Sequence, residues 1–124
     1  MAAVYPLSNY WTKHKALADN TLTTVYTCGE QGELAFDVTD IQVAATTANA
    51  DTCSLYHSSG GTDWCLVFLG AVGAAAPLAF EGKPIHMVPG DAIKAQATAG
   101  ATHTLHVMIC GVKSTRSPKK EAQA

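Results

Sequence analysis

Charged residues are scarce in this sequence: Asp, Glu, Lys and Arg make up 15% of it, against about 25% in an ordinary soluble domain. Aromatic residues are few, at 7%, and many of the 48% hydrophobic residues are alanines, which bury little area. A core built from so few large side chains should be only marginally stable alone. We therefore expect a subunit that is stabilised by neighbouring chains; an ordinary small β domain is the plainer alternative.

The chain also lacks an excess of positive charge and any long apolar run. Its 8 Lys and Arg against 10 Asp and Glu give a formal net charge of −2, which argues against specific binding to nucleic acid. No stretch is long enough to span a bilayer, and residues 1–15 have no apolar segment of the signal-peptide type. We expect a soluble protein made in the cytoplasm, with no membrane partner. Its cysteines are then expected to be free thiols: Cys28, Cys53, Cys65 and Cys110.

Motifs for catalysis or metal binding are missing as well. CxxC, HxH, HExxH and GxSxG do not occur, and a strand would place His103 and His106 on opposite faces. The segment 58–61 is a flexible hairpin tip rather than a phosphate cradle, because no Lys follows it. The isolated His86, close to a Pro-Gly-Asp turn, does not provide the ligand set of a cupin. We predict no enzyme activity, no metal site, no cofactor and no small-molecule substrate.

From Thr21 onward, runs rich in β-branched and aromatic residues alternate with turn residues at intervals of about 8–12 positions, which is typical of an all-β domain. The pattern predicts an antiparallel β-sandwich or jelly roll of about eight strands over residues 21–112. In the long strand 33–46 the apolar positions change parity near Thr39-Asp40. A β-bulge there would keep six side chains facing the core: Leu34, Phe36, Val38, Ile41, Val43 and Ala45.

Strands 53–57 and 64–69 are predicted to form a hairpin. With His57 opposite Trp64, the other pairs are Tyr56 with Cys65, Leu55 with Leu66, Ser54 with Val67 and Cys53 with Phe68. The second strand, WCLVFL, is then apolar on both faces, whereas a solvent-facing antiparallel strand should alternate with polar residues. We expect its second face to be covered by the N-terminal arm, by the loop 70–77 or by another subunit. A contact between subunits would use Cys65, Val67 and Leu69.

The two ends of the chain are set apart from this β domain. Residues 1–20 are aromatic and basic without clean strand alternation, so we interpret them as an arm in which residues 8–20 form a short helix. Residues 113–124 are polar and form a tail that is expected to be disordered in isolation. An arm folded over its own sandwich and a solvated tail are the plainer alternatives. Because aromatic and basic side chains are enriched at interfaces, the candidates for partner binding are Tyr5, Tyr10, Trp11, Arg116, Lys119 and Lys120.

Two segments carry a resemblance to a known group of proteins. Thr24-Val25-Tyr26-Thr27 leads into a turn and a long strand, and Pro89-Gly90-Asp91, with Ile93 and Ala95, leads to a closing strand with Leu105 and Val107. In this order the segments resemble the small β-sandwich virion proteins of tailed bacteriophages, over residues 21–112. Cys28-Gly29-Glu30 departs from that group's more usual Val-Pro-Ala-Gly turn.

The resemblance implies a non-enzymatic structural component of the virion. Within that group, the small size and the arm favour a capsid decoration (cement) protein, which would bind the major capsid protein and stabilise the head shell against internal DNA pressure. Such proteins often form homo-oligomers, with a trimer favoured. The β domain would then pack against its symmetry mates while the arm and the tail reach onto adjacent capsid subunits, so that avidity supplies the grip.

Two other functions stay open. The chain is alternatively a neck, tail or fibre-attachment protein of the virion, which would form rings of higher symmetry. From a different class, a carbohydrate-binding β-sandwich would need a row of exposed aromatic side chains. Trp11, Tyr56 and Trp64 do not obviously make such a row in the sequence.

Overall fold

The computed structural model describes residues 10–17, 21–45, 51–72, 77–80, 84–97 and 105–114. These residues form nine strands and no helix, and every strand pairing is antiparallel. The predicted all-β antiparallel β-sandwich is confirmed. The strands are β1 (Tyr10–Leu17), β2 (Thr23–Thr27), β3 (Ala35–Ala45), β4 (Asp51–Ser59), β5 (Thr62–Val72), β6 (Leu78–Phe80), β7 (Ile85–Met87), β8 (Ala92–Ala97) and β9 (Leu105–Ser114).

Two sheets face each other, with the orders β1-β9-β3-β6 and β2-β8-β4-β5, and β7 continues the first sheet beside β3. β6 and β7 pair with successive parts of β3, so they lie end to end along one edge. If β6 and β7 are counted as one interrupted strand, the pairing is nested. β1 pairs with β9, β2 with β8, β3 with β6 and β7, and β4 with β5. This nested pairing is that of a long hairpin folded over into a jelly roll.

The core lies between the sheets and comes from the inward positions of the alternating strands. In β9, Leu105, Val107 and Ile109 are buried at alternating positions. The predicted bulge in β3 is confirmed by a shift of register between Val38 and Asp40. It keeps Phe36, Val38, Ile41 and Val43 buried. Leu34 was expected to face the core as well, but it is 44% exposed because it precedes the strand.

The β4–β5 hairpin turns more tightly than predicted. Its loop was expected to span residues 58–63, but Ser59 pairs with Thr62, which leaves only Gly60 and Gly61 between the strands. Both glycines have a positive φ, 61° and 81°. A two-residue turn with a positive φ at both positions favours glycine, and its twist matches that of the flanking strands.

The prediction of a short helix in residues 8–20 is wrong, and residues 10–17 do not form an arm outside the sandwich. They form β1, which pairs with β9 from Tyr10 opposite Val112 to Leu17 opposite Leu105. Leu17 is 1% exposed and part of the core. A deletion of residues 1–20 would therefore remove a strand of the fold rather than a detachable arm. At the other end β9 continues to Ser114, beyond the predicted domain boundary at 112.

Within the described ranges, no helix is long and apolar enough to cross a membrane.

Candidate interaction surface

Strand β5 lies at the edge of the four-stranded sheet and pairs with β4 on one side. No other strand in the described ranges pairs with its far side, so this edge presents backbone N–H and C=O groups to another chain. Natural proteins usually protect such an edge by keeping the strand short or by placing Lys or Pro on it. β5 is 11 residues long and contains neither Lys, Arg nor Pro. Within the described ranges the edge is long and lacks both of these protections.

Apolar side chains are exposed along the same strand. Of the seven large hydrophobic residues that are exposed in the described part of the chain, three lie in β5. Trp64 is 60% exposed, Phe68 70% and Leu69 46%. Cys65 is exposed between them. We call these four residues the β5 strip; single exposed apolar residues are ordinary, but their concentration on one open edge is typical of an interaction site.

Two β-bulges in the β4–β5 pairing shape this strip. One shift of register lies between Leu55 and Tyr56 and the other between Cys53 and Leu55. At the second, Leu69 has a φ of 52°, and it is the only non-glycine residue in the described ranges with a positive φ. Such a backbone costs about 1–2 kcal/mol for a residue with a Cβ. It is held by the buried Ser54, whose Oγ accepts a hydrogen bond from the Leu69 N–H at 3.0 Å. Strain of this kind tends to be concentrated at functional sites.

The bulges also change which side chains of β5 are exposed, compared with the prediction. The predicted register is confirmed for the two pairs nearest the hairpin tip and is wrong for the others. The observed pairs include His57–Trp64, Tyr56–Cys65, Leu55–Val67 and Cys53–Gly70. Of the residues predicted to contact another subunit, Cys65 and Leu69 are exposed, whereas Val67 is half-buried against the protein's own core. Phe68 belongs to the exposed strip although it was placed on the other face.

The charge around the strip is nearly balanced. Asp63 is the only charged residue in β5, and its carboxylate accepts a hydrogen bond from Lys94 Nζ at 3.2 Å. The hydrogen bond from Ser58, followed by that from Lys94, lowers the pKa of Asp63. The strip itself carries no charge, so a second copy of the chain would meet no like-charge repulsion there.

The other residues predicted to bind partners lie elsewhere. Trp11 is half-buried, with its ring centroid 6.4 Å from that of Phe36. Lys13 Nζ and Lys113 Nζ lie 4.3 and 4.0 Å from the Trp11 ring, close enough for cation–π contacts. Trp11 therefore anchors β1 to the sandwich. Tyr10 is 55% exposed, but β1 and β5 are edges of different sheets. The remaining candidates fall outside the described residues: Tyr5, Arg116, Lys119 and Lys120.

A buried pair closes the turn between β2 and β3. The Glu33 carboxylate, in a residue only 2% exposed, accepts hydrogen bonds from the Tyr26 hydroxyl and from the Gln31 N–H. Burial alone would raise the pKa of Glu33, but the hydrogen bond from Tyr26 and several backbone hydrogen bonds together hold it below its ordinary value. Burial, followed by the bond to Glu33, raises the pKa of Tyr26. Because both residues are buried, we interpret the pair as structural.

Acid should weaken this pair. A carboxyl whose pKa is lowered by folding contributes stability above its unfolded pKa of about 4.3, and that contribution is lost as the pH falls through the folded value. The free energy of unfolding should therefore fall with decreasing pH below about 4.3, and this slope should be smaller in Glu33→Gln. Urea unfolding followed by circular dichroism at a series of pH values measures it. Glu30→Gln, at an exposed position, is the control; equal slopes for the two variants would contradict the assignment.

Cys28 is a buried free thiol. Burial raises the pKa of Cys28, whose thiol donates to the Met87 carbonyl at 3.6 Å, and a thiol in this form is a poor nucleophile. Across those ranges, no group of three or more His, Cys, Asp and Glu side chains is placed to hold a metal ion. The β5 strip is the feature with the clearest functional implication.

No protein-family model matches this chain, and no curated protein matches it. Among solved structures, it is similar to a chain from Bacillus endospore appendages, a family of disulfide-linked pili. The two share 13% identity, the match covers 91% of this chain and 99% of that chain, and the TM-score is 0.42. A likeness at this level supports no conclusion about what this chain does.

Proposed function

We propose that this protein is a non-enzymatic structural subunit that associates with further copies of itself through the β5 strip. The observation that supports this most directly is the long edge strand with Asp63 as its single charged residue and with exposed Trp64, Phe68 and Leu69. Aromatic side chains are the residues most often found as energetic anchors in interfaces. An edge strand adds main-chain hydrogen bonds to that contact when a second strand joins it.

Another copy of the chain fits this edge better than a charged partner does. The β5 strip offers apolar side chains and a backbone edge but no side-chain charge that a basic or acidic partner would recognise. Every copy presents the same strip, so association through it needs no other component. The number of copies depends on which surface of the second copy contacts the strip. If the two strips contact each other, the interface is isologous and closes a dimer. If the strip contacts a different surface, the interface is heterologous and closes a ring such as a trimer.

The resemblance to phage virion proteins supplies the proposed setting. In that setting the protein is a capsid decoration (cement) protein of a tailed bacteriophage, favoured as a trimer, which binds the major capsid protein and stabilises the head shell. The neck, tail or fibre-attachment alternative differs in symmetry and place rather than in chemistry. It would give six-fold or twelve-fold rings.

Oligomeric state and particle binding test the two parts of this proposal separately. Native mass spectrometry of the full chain should give a multiple of the 12.9 kDa monomer. A monomer at every concentration would overturn the assembly. Purified protein mixed with phage heads that lack their decoration protein should sediment with them, and cryo-imaging should place it at three-fold positions of the shell. Absence from heads, with the oligomer intact, would remove the cement role and leave the assembly.

A carbohydrate-binding function is the second candidate, because Trp64 and Phe68 are exposed on one strand. Jelly rolls also occur in lectins, and aromatic rings present apolar surface that a sugar can cover. A glycan array probed with the full chain tests it. Binding that disappears in Trp64→Ala would favour this function, and an array without hits would remove it.

A further inference from the structure

A pair of histidines lies on the outer face of the five-stranded sheet, away from the β5 strip. His14 is in β1 and His106 in β9, and the Nδ1 of His14 is 3.0 Å from the Nε2 of His106. The ring centroids are 5.2 Å apart. The register places His14 opposite Met108 and His106 opposite Ala16, so the two histidines are diagonal neighbours, within reach of long side chains.

We propose that His14 and His106 form a surface binding site for a late divalent transition-metal ion such as Zn²⁺ or Ni²⁺. Zn–N bonds are about 2.0–2.1 Å long, so two nitrogens on one ion are separated by about 2.9 Å at a right angle and about 3.3 Å at the tetrahedral angle. The observed 3.0 Å lies inside this range; without an ion it is a hydrogen bond in which one ring nitrogen donates and the other accepts, so a metal ion would displace that proton. The pair can therefore receive an ion with little movement of the backbone.

The strands hold the pair in place and leave it open to solvent. β1 and β9 pair without a bulge from residue 10 to residue 17. His14 is exposed and His106 half-buried, so an ion can reach the nitrogens from water. Met108 is opposite His14, and Cys110 follows two residues later on the same face. The two imidazole nitrogens themselves favour late transition metals over Mg²⁺ or Ca²⁺, which prefer oxygen ligands.

The site supplies two protein ligands, in line with the absence of any larger ligand group among the residues that the structure describes. Zn²⁺ usually takes four ligands, so water molecules or the same pair from a second copy would complete the coordination. The pair lies at the β1 edge of the five-stranded sheet, whereas the β5 strip lies at an edge of the four-stranded sheet. Binding of an ion therefore does not depend on the proposed assembly.

Isothermal titration of the full chain with ZnCl2, and separately with NiCl2, tests the proposal. We expect one ion for each histidine pair and binding that is at least about tenfold weaker in His14→Ala and in His106→Ala, since losing even an outer-shell partner of a metal ligand costs about that much. His86→Ala is the control, because His86 lies on another strand and contacts Asp37. His103→Ala is a second control, for a histidine outside the described ranges.

A second measurement separates loss of the site from loss of the fold. In wild-type protein, Ni²⁺ should broaden the ring-proton NMR signals of His14 and His106 before those of the other histidines, and circular dichroism should show both variants folded. Absence of binding to the wild type at millimolar metal, or wild-type affinity in either variant, would overturn the proposal. A Zn²⁺-dependent doubling of the mass, at one ion for two pairs and only with both histidines present, would show instead that the pair of a second copy completes the site.

Discussion

Replacing Trp64 and Phe68 together by lysine should convert the assembled protein into a folded monomer. The two rings are 60% and 70% exposed, so the single chain loses little when they are replaced. An interface centred on them would lose two aromatic anchors, each worth about 2 kcal/mol or more, which corresponds to about thirtyfold in affinity for each residue. Lysine on an edge strand also opposes the joining of a second strand. Sedimentation velocity over a range of concentrations measures the effect.

Leu34 and Val88 provide matched controls for this experiment. They are 44% and 47% exposed, close to Leu69 at 46%, but neither lies in β5. Leu34→Lys and Val88→Lys should leave the oligomer intact. If the two controls dissociate the assembly while the double lysine variant stays associated, the interface lies elsewhere on the sandwich. A double lysine variant that is monomeric but unfolded by circular dichroism would require the milder Phe68→Ser, read by the same sedimentation measurement.

Local pattern was enough to predict the class of fold. The alternation in β9 and the change of parity in β3 both report which side chains face the core, because successive side chains on a strand point to opposite faces. The bulge near Thr39-Asp40 followed from the same reasoning, since without it Ile41 and Val43 would face solvent. The structure buries both.

Long-range pairing was beyond the reach of that reasoning. β1 was missed because its inward positions include Lys13, whose charged end lies near the Trp11 ring, so the strand lacks an apolar alternation. Its partner β9 is far away in the sequence, and neither segment has a local feature that indicates the pairing. The proximity of His14 and His106 has the same origin. Two histidines 92 positions apart become neighbours only through the β1–β9 register.

The candidate interface was predicted in part. The run WCLVFL was too apolar for a strand with a solvent-facing side, and the structure exposes part of that run at a sheet edge. Which side chains are exposed could not be derived, because the two bulges in the hairpin have no local sequence signature. They place Val67 against the core and leave Phe68 exposed.

Gly111→Ala should be one of the most destabilising single-methyl changes that this protein can undergo. Gly111 lies in the middle of the five-stranded sheet, opposite Trp11 on one side and Val38 on the other. A Cβ there would be 2.3 Å from the carbonyl oxygen of Asp37 and 2.6 Å from the Phe36 ring. A backbone oxygen held in a strand cannot rotate away, so the sheet itself would have to shift. We expect a loss of about 3 kcal/mol or more in the free energy of unfolding, a large part of the stability of a small domain.

Gly61→Ala is the comparison that identifies the cause of this loss. At the hairpin tip a new Cβ would meet nothing within 4 Å, but the φ of 81° would strain an alanine backbone by about 1–2 kcal/mol. Gly111 lacks the positive φ and has the collision instead. Urea unfolding of the two variants should therefore place Gly111→Ala well below Gly61→Ala in stability. An equal or reversed order would mean that β9 and β3 lie further apart than the register requires. It would also mean that Trp11 and Phe36 do not pack across Gly111.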